Sequence, residues 1–197
     1  MHDETLTERL ILTPLDDPTP ALVKALFRIQ SDPATWEHLP AGVDADIDET
    51  RRLLEGYAAS WRRLGLGWWA VRLRSPIDEL PAGATVGLGG VAVRDPEVPA
   101  WNLGFRLTPA AWGRGFAREL SKAAISAALV AQPDLPVSAR ALTRNVASWR
   151  TLERAGLSLR WEGDAPADDV LTSGMPRRVY SDRPLSPALL RTLIALG

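Results

Sequence analysis

Leu103-Gly104-Phe105-Arg106-Leu107-Thr108-Pro109-Ala110-Ala111-Trp112-Gly113-Arg114-Gly115-Phe116-Ala117 passes from a strand through a Gly-Arg-Gly loop into a helix. Thr108-Pro109 stops the strand at Leu107. Beyond the loop, Phe116, Leu120, Ala124 and Ala128 recur at four-residue spacing, which predicts a helix from Gly115 to about Val130. Gly113 and Gly115 let the backbone turn sharply and let a ligand approach where a Cβ would stand. The first turn of a helix offers unsatisfied N–H groups and the positive end of its dipole, so an anion such as a pyrophosphate fits there. An ordinary strand-to-helix turn uses glycine in the same way, and the loop alone leaves both readings open.

Working outward, Glu8 to Leu15 reads as a strand closed by Pro14 and the Asp16-Asp17-Pro18 turn. Leu22, Ala25, Leu26 and Ile29 mark a helix over 20–30, and Leu53, Leu54, Tyr57, Ala58 and Trp61 mark another over 47–63. Strands are expected at 68–73, 85–93, 101–107, 137–142, 157–161 and 178–181. A short helix over 145–155 ends at Gly156, placed as a C-cap. The order β-α-α-β-β-β-α-β-α-β-β predicts one α/β (α+β) domain over 1–197 with a mixed sheet, and a short C-terminal helical extension at about 186–197. Gly87-Leu88-Gly89-Gly90 looks like the start of a dinucleotide fingerprint. Val91-Ala92-Val93 continues as strand, however, so no helix opens there, and a bulge or a close backbone approach is expected instead.

Composition narrows the function. The chain has no cysteine and two histidines, His2 and His38, so disulfides, thiolate sites and multi-histidine metal centres are not expected. No apolar run is long enough to span a membrane, and the acidic start Met1-His2-Asp3-Glu4 does not resemble a secretory signal, so a cytoplasmic location is expected. A net charge of −1 argues against nucleic-acid binding. Residues 1–50 carry −8 and residues 51–197 carry +7. Within 106–160, nine bases face three acids, a local +6 that suits a multiply charged anion or a solvated arginine-rich face.

Trp112-Gly113-Arg114-Gly115-Phe116-Ala117 resembles the cofactor motif Q/R-x-x-G-x-G/A of the GNAT superfamily of acyl-CoA-dependent N-acyltransferases, departing at Trp112. Asn145-Val146-Ala147-Ser148, Glu153-Arg154-Ala155-Gly156-Leu157, the opening Thr7-Glu8-Arg9-Leu10-Ile11-Leu12 and the closing Val179-Tyr180-Ser181 resemble the branch that acetylates N-termini of ribosomal proteins. The resemblance covers about 7–183. It implies a twisted mixed sheet splayed open between 101–107 and 137–142, with acetyl-CoA in the wedge as acyl donor and no metal. Backbone near Phe105, Arg106 and Leu107 would hold the pantetheine arm, and Gly113, Arg114, Gly115, Phe116 and Ala117 the pyrophosphate. Asn145 would contact the donor, and Ser148 would protonate the leaving thiolate. As ordinary helix-start residues, Asn145 would be an N-cap and Ser148 a locally bonded hydroxyl.

Some family members place a glutamate base where this chain has Asn102, which cannot act as one. Glu37, His38 and Glu162 stay open for that role. Trp36 stands in a loop that lines the acceptor pocket in the resembled family, where it could stack on the acceptor. The expected reaction moves an acetyl group to a primary amine, on a protein N-terminus or a small molecule. A non-catalytic CoA-responsive module of the same fold and a CoA-independent anion-binding module are the alternatives. The acceptor and the oligomeric state, a homodimer included, stay open.

Overall fold

Local chemistry sets the helix boundaries in the computed structural model, which describes residues 2–93 and 95–196. Met1, Arg94 and Gly197 lie outside the described residues. The Thr19 hydroxyl accepts from the Leu22 N–H at 3.3 Å, and α1 follows over Pro20–Gln30. The Asp46 carboxylate accepts from the N–H groups of Asp48 and Glu49, starting α2, Ile47–Leu64, which Gly65 ends in the left-handed region. α3 spans Phe116–Ala131, α4 Val146–Ala155 and α5 Pro187–Ala195. Gly156 at φ 109° closes α4, as its position in the sequence predicts.

The strands are β1 Thr5–Leu6, β2 Leu10–Pro14, β3 Trp68–Leu73, β4 Thr85–Ala92, β5 Trp101–Leu107, β6 Val137–Leu142, β7 Ser158–Asp164 and β8 Pro176–Ser181. They form one sheet in the order β1-β2-β3-β4-β5-β6-β8-β7. All neighbours are antiparallel except β5 and β6. The strand expected over 8–15 is the shorter β2, and the chain before it turns at residues 7–9 to bring Thr5 and Leu6 back beside Leu12 and Ile11 as β1, which the sequence does not signal.

The parallel pair positions the site. β4 and β5 stay in register over six residue pairs, whereas β5 and β6 pair only at Trp101↔Val137 and Asn102↔Ser138. These are the N-terminal ends of both strands. The sheet therefore splays toward their C-terminal ends, and α3 and α4 each begin beyond one of the two walls. Crevices at the carboxyl ends of strands are the usual ligand sites of open α/β sheets.

Side chains alternate across the sheet. Trp101, Leu103 and Leu107 join Phe116, Leu120, Ala124 and Tyr180 in the main core under α3 and α4. On the other face, Leu15, Val23, Leu26, Leu54, Ala70 and Leu88 form the core under α1 and α2. A third cluster packs α5 through Leu193 onto Val98, Ala100 and Val179.

The strand glycines serve close approach. A Cβ on Gly89 would lie 2.6 Å from Leu120 Cδ2 and 2.8 Å from the Gly104 carbonyl oxygen, so α3 and β5 need a hydrogen at that position. The segment remains strand throughout, with no helix opening from it.

Candidate functional site

One hydrogen bond sets the phase of the wall formed by β5. The Thr108 N–H donates to the Val86 carbonyl at 2.8 Å, which makes 86/108 a hydrogen-bonded pair of the antiparallel ladder. Such pairs alternate along the ladder. Arg106 and Gly104 therefore turn their main-chain groups to β4. Phe105 and Leu107 turn theirs the other way, into the wedge beyond its last paired residues. The Leu107 carbonyl there accepts from the Trp112 indole N–H at 2.8 Å. The wedge thus presents the Phe105 N–H and C=O and the Leu107 N–H as an extended edge that an amide-bearing ligand can pair with.

Arg106 does not share this edge. Its side chain crosses to the α1/α2 face, bonds the Thr35 carbonyl and lies 3.2 Å from the centroid of the Trp36 ring. Burial lowers its pKa to about 10, with Tyr57 and Asp44 pulling the other way. Trp36 is likewise committed to the protein. Its indole N–H donates to the Gln30 carbonyl at 2.6 Å, one ring face meets Arg106, and a Cβ on Gly42 would fall 2.2 Å from the ring.

At the far end of β5, Pro109–Ala111 forms one 3-10 turn. Gly113 and Gly115 then take φ of 72° and 79°, where other residues are strained. Gly115 is the N-cap of α3 and supplies no side-chain cap. The amides that open α3 therefore keep their donor capacity, as a helix end does unless something caps it. A Cβ on Gly113 would meet nothing within 4 Å, and one on Gly115 only the Arg9 guanidinium at 3.5 Å. Gly113, Arg114, Gly115, Phe116 and Ala117 thus form an open, uncapped cradle of the kind an anion fits.

Across the mouth, Asn145 caps α4, its side-chain oxygen accepting from the Ser148 N–H at 3.1 Å. Ser148 is half-buried in that first turn, and its hydroxyl has no hydrogen-bond partner among the described residues. A helix-start hydroxyl usually bonds back to the local chain. This one is left available.

The bases counted over 106–160 do not form a single anion site. Arg140 bonds the Leu196 carbonyl, Arg118 the Arg154 carbonyl at 3.1 Å and Arg160 the Ser181 carbonyl at 3.5 Å, while Arg114 pairs with Asp78. The candidate bases are also constrained. Glu37 is exposed, and Glu162 accepts from Arg178 at 2.7 Å. His38 has its pKa lowered to about 4 by burial and by the nearby Arg106 and Arg144 charges, which leaves it a weak base. Asn102 lies at the vertex of the wedge, lining a small cavity with Asp95, Ser138, Arg140 and Leu193.

The sequence did not single out Arg9. Its guanidinium lies 4.7 Å from the centroid of the Phe116 ring, donates to the Arg114 carbonyl at 2.8 Å and pairs with Glu119 at 2.7 Å. Glu119, in the first turn of α3, also accepts from the Thr7 hydroxyl at 2.6 Å and the Arg9 N–H at 2.7 Å. Burial pushes its carboxyl up, but these bonds and the Arg9 charge outweigh burial and hold it below the usual range. Its signal was an acid four residues after Gly115. Nothing local pairs that acid with a residue 110 positions away.

A model of the acetyltransferase (GNAT) domain matches residues 9–158. The chain belongs to the GNAT acetyltransferase family. Solved structures share this acetyltransferase fold. An acetyltransferase from Agrobacterium tumefaciens superposes with a TM-score of 0.71 at 24% identity, covering 93% of this chain and 96% of the other. RimL, a ribosomal L7/L12 alpha-N-protein acetyltransferase solved with coenzyme A, gives 0.68 at 16%, covering 91% and 97%. MccE, a microcin C7 self-immunity acetyltransferase solved with acetyl-CoA and AMP, gives 0.66 at 14%, covering 89% and 92%. Among the described residues, no helix of this GNAT chain is long and apolar enough to cross a membrane.

Proposed function

We propose that this GNAT protein transfers an acetyl group from acetyl-CoA to a primary amine by direct attack. The observation that carries the proposal is the joining of an unpaired β5 edge, an uncapped glycine-flanked helix start and an unpartnered serine hydroxyl around one wedge. Bound there, acetyl-CoA supplies an activated thioester. The main-chain groups of Phe105 and Leu107 hold the pantetheine amides as an added strand would. Gly113, Arg114, Gly115, Phe116 and Ala117 give amides and helix dipole to the pyrophosphate. Most of the rate comes from holding the two reactants together and from an N–H of the β5 edge polarising the thioester carbonyl. Ser148 Oγ lies at the first turn beyond the opposite wall and donates its proton to the leaving thiolate as the C–S bond breaks, and the proton that the amine nitrogen sheds on forming the amide passes through water to restore the serine hydroxyl. Asn145 keeps its capping bond and sets the position of that turn. Arg106 acts on the acceptor side of the sheet, where it fixes the 33–42 loop through Thr35 and Trp36.

Two variants test this reading. Gly115→Val places a branched side chain in the cradle, and should abolish the rise in melting temperature that saturating acetyl-CoA gives the parent. A ligand at about 100 times its Kd stabilises by roughly 2.7 kcal/mol. Ser148→Ala should lower kcat by about 10²-fold or less and leave acetyl-CoA affinity unchanged, because its proton is needed only as charge develops on sulfur. Unchanged turnover in Ser148→Ala with the true acceptor would remove the serine from the mechanism. A folded parent that binds acetyl-CoA but releases no CoA with any amine would favour the non-catalytic module.

A further inference from the structure

We infer that Arg9 is a positioning residue for the donor site, locking the Arg114–Gly115 peptide so that the Gly115 N–H faces the cradle. The inference rests on the proposed reading of that cradle as the pyrophosphate site. In a planar trans peptide the C=O and N–H point to opposite sides. Arg9 Nη1 holds the Arg114 carbonyl at 2.8 Å, so the Gly115 N–H is turned away from Arg9. Rotating this peptide changes ψ of Arg114 and φ of Gly115. Gly115, at φ 79°, accepts either sign of φ without a steric cost. The loop itself therefore resists a flip poorly. A flipped peptide would aim a carbonyl oxygen at the phosphates.

The restraint comes from outside the loop, through a rigid support. The Arg9 side chain is 44% exposed, while its partner Glu119 is 13% exposed. Glu119 Oε2 takes Arg9 Nε and Nη2, each at 2.7 Å, and Oε1 takes the Thr7 hydroxyl and the Arg9 amide. The planar fork is thus oriented by one partner and reaches the loop with its remaining arm. This two-ended use suits arginine; lysine has a single ammonium. The turn at residues 7–9, which separates β1 from β2, places Arg9 beside the start of α3.

The test compares the parent with Arg9→Gln and Arg9→Lys by calorimetric titration with acetyl-CoA and with acetylpantetheine, which lacks the phosphates, alongside melting temperatures. Arg9→Lys keeps the charge and the ion pair with Glu119, so it retains a folded protein if Arg9→Gln does not. Both variants should bind acetyl-CoA at least tenfold more weakly than the parent and bind acetylpantetheine as the parent does. Parent-like acetyl-CoA affinity in Arg9→Lys would show that charge alone matters and overturn the inference. Equal losses for both ligands would make Arg9 a general structural residue and overturn it too. A folded parent that binds no acetyl-CoA would overturn both this inference and the reading beneath it.

Discussion

His38 is half-buried beside Trp36, their ring centroids 6.2 Å apart, and its pKa is lowered from 6.5 to about 4, first by burial and then by the Arg106 and Arg144 charges. An unfolded chain protonates this imidazole below about pH 6.5, whereas the folded protein resists until about pH 4. The contribution of His38 is therefore complete above pH 6.5 and lost as the pH falls through that window. His38→Gln should flatten the pH dependence of stability there. Urea unfolding midpoints measured between pH 7 and pH 4 should fall more steeply for the parent, and parallel curves would contradict the assignment. Arg106 shows the same loop from the other side. The resemblance puts its backbone among the donor's contacts, but the register turns its main chain to β4, and its side chain goes to Thr35 and Trp36. Residue type alone does not carry that information, because one step along a strand exchanges both faces and both edges.

Among the elements, α3 packs against the sheet over Gly89, where a Cβ would fall 2.6 Å from Leu120 Cδ2. Gly89→Ala would force Leu120 and β5 to shift, and overpacking of this kind costs typically 1–3 kcal/mol. A lower denaturation midpoint with an unchanged m-value would confirm it. On the other face, Leu193 anchors α5 on Val98, Ala100 and Val179 at 4% exposure. Leu193→Ala should cost about 2–5 kcal/mol, the usual range for a buried leucine, and thermal unfolding reads the loss. A helix at about 186–197 was legible from its spacing, but its place against the sheet was not. The other helices and most strands were also legible, because their caps, prolines and periodicities are local signals. So was the open wedge, through the family resemblance. The short β1, the extension of β7 to Asp164 and the Arg9–Glu119 link were not. The Arg9–Glu119 link spans 110 positions, while β1 and the end of β7 are strand only through pairing across a turn, Thr5 and Leu6 with Leu12 and Ile11, and Gly163 and Asp164 with Arg177 and Pro176.

For the molecule as a whole, acid should be the destabilising direction. Glu119 and Asp169 both have carboxyls held below the usual range, because their hydrogen bonds and the Arg9 and Arg177 charges outweigh burial. Stability from such groups is present above the unfolded-state pKa and is lost as the pH falls through the folded one. Asp169 and Arg177 are almost fully enclosed, 5% and 4% exposed and 3.1 Å apart. Asp169→Asn should therefore destabilise at neutral pH and make the remaining acid transition shallower, as circular dichroism followed from pH 7 to pH 3 would record. The two-pair junction of β5 and β6 has a further consequence. β2 to β5 form one continuous ladder and β6, β8 and β7 another, with a shared core but very little main-chain bonding between them. Amide hydrogen exchange should accordingly sort the protected sites into two cooperative groups that open at different free energies. A ligand touching both walls of the wedge should bring the exchange rates of the two groups together.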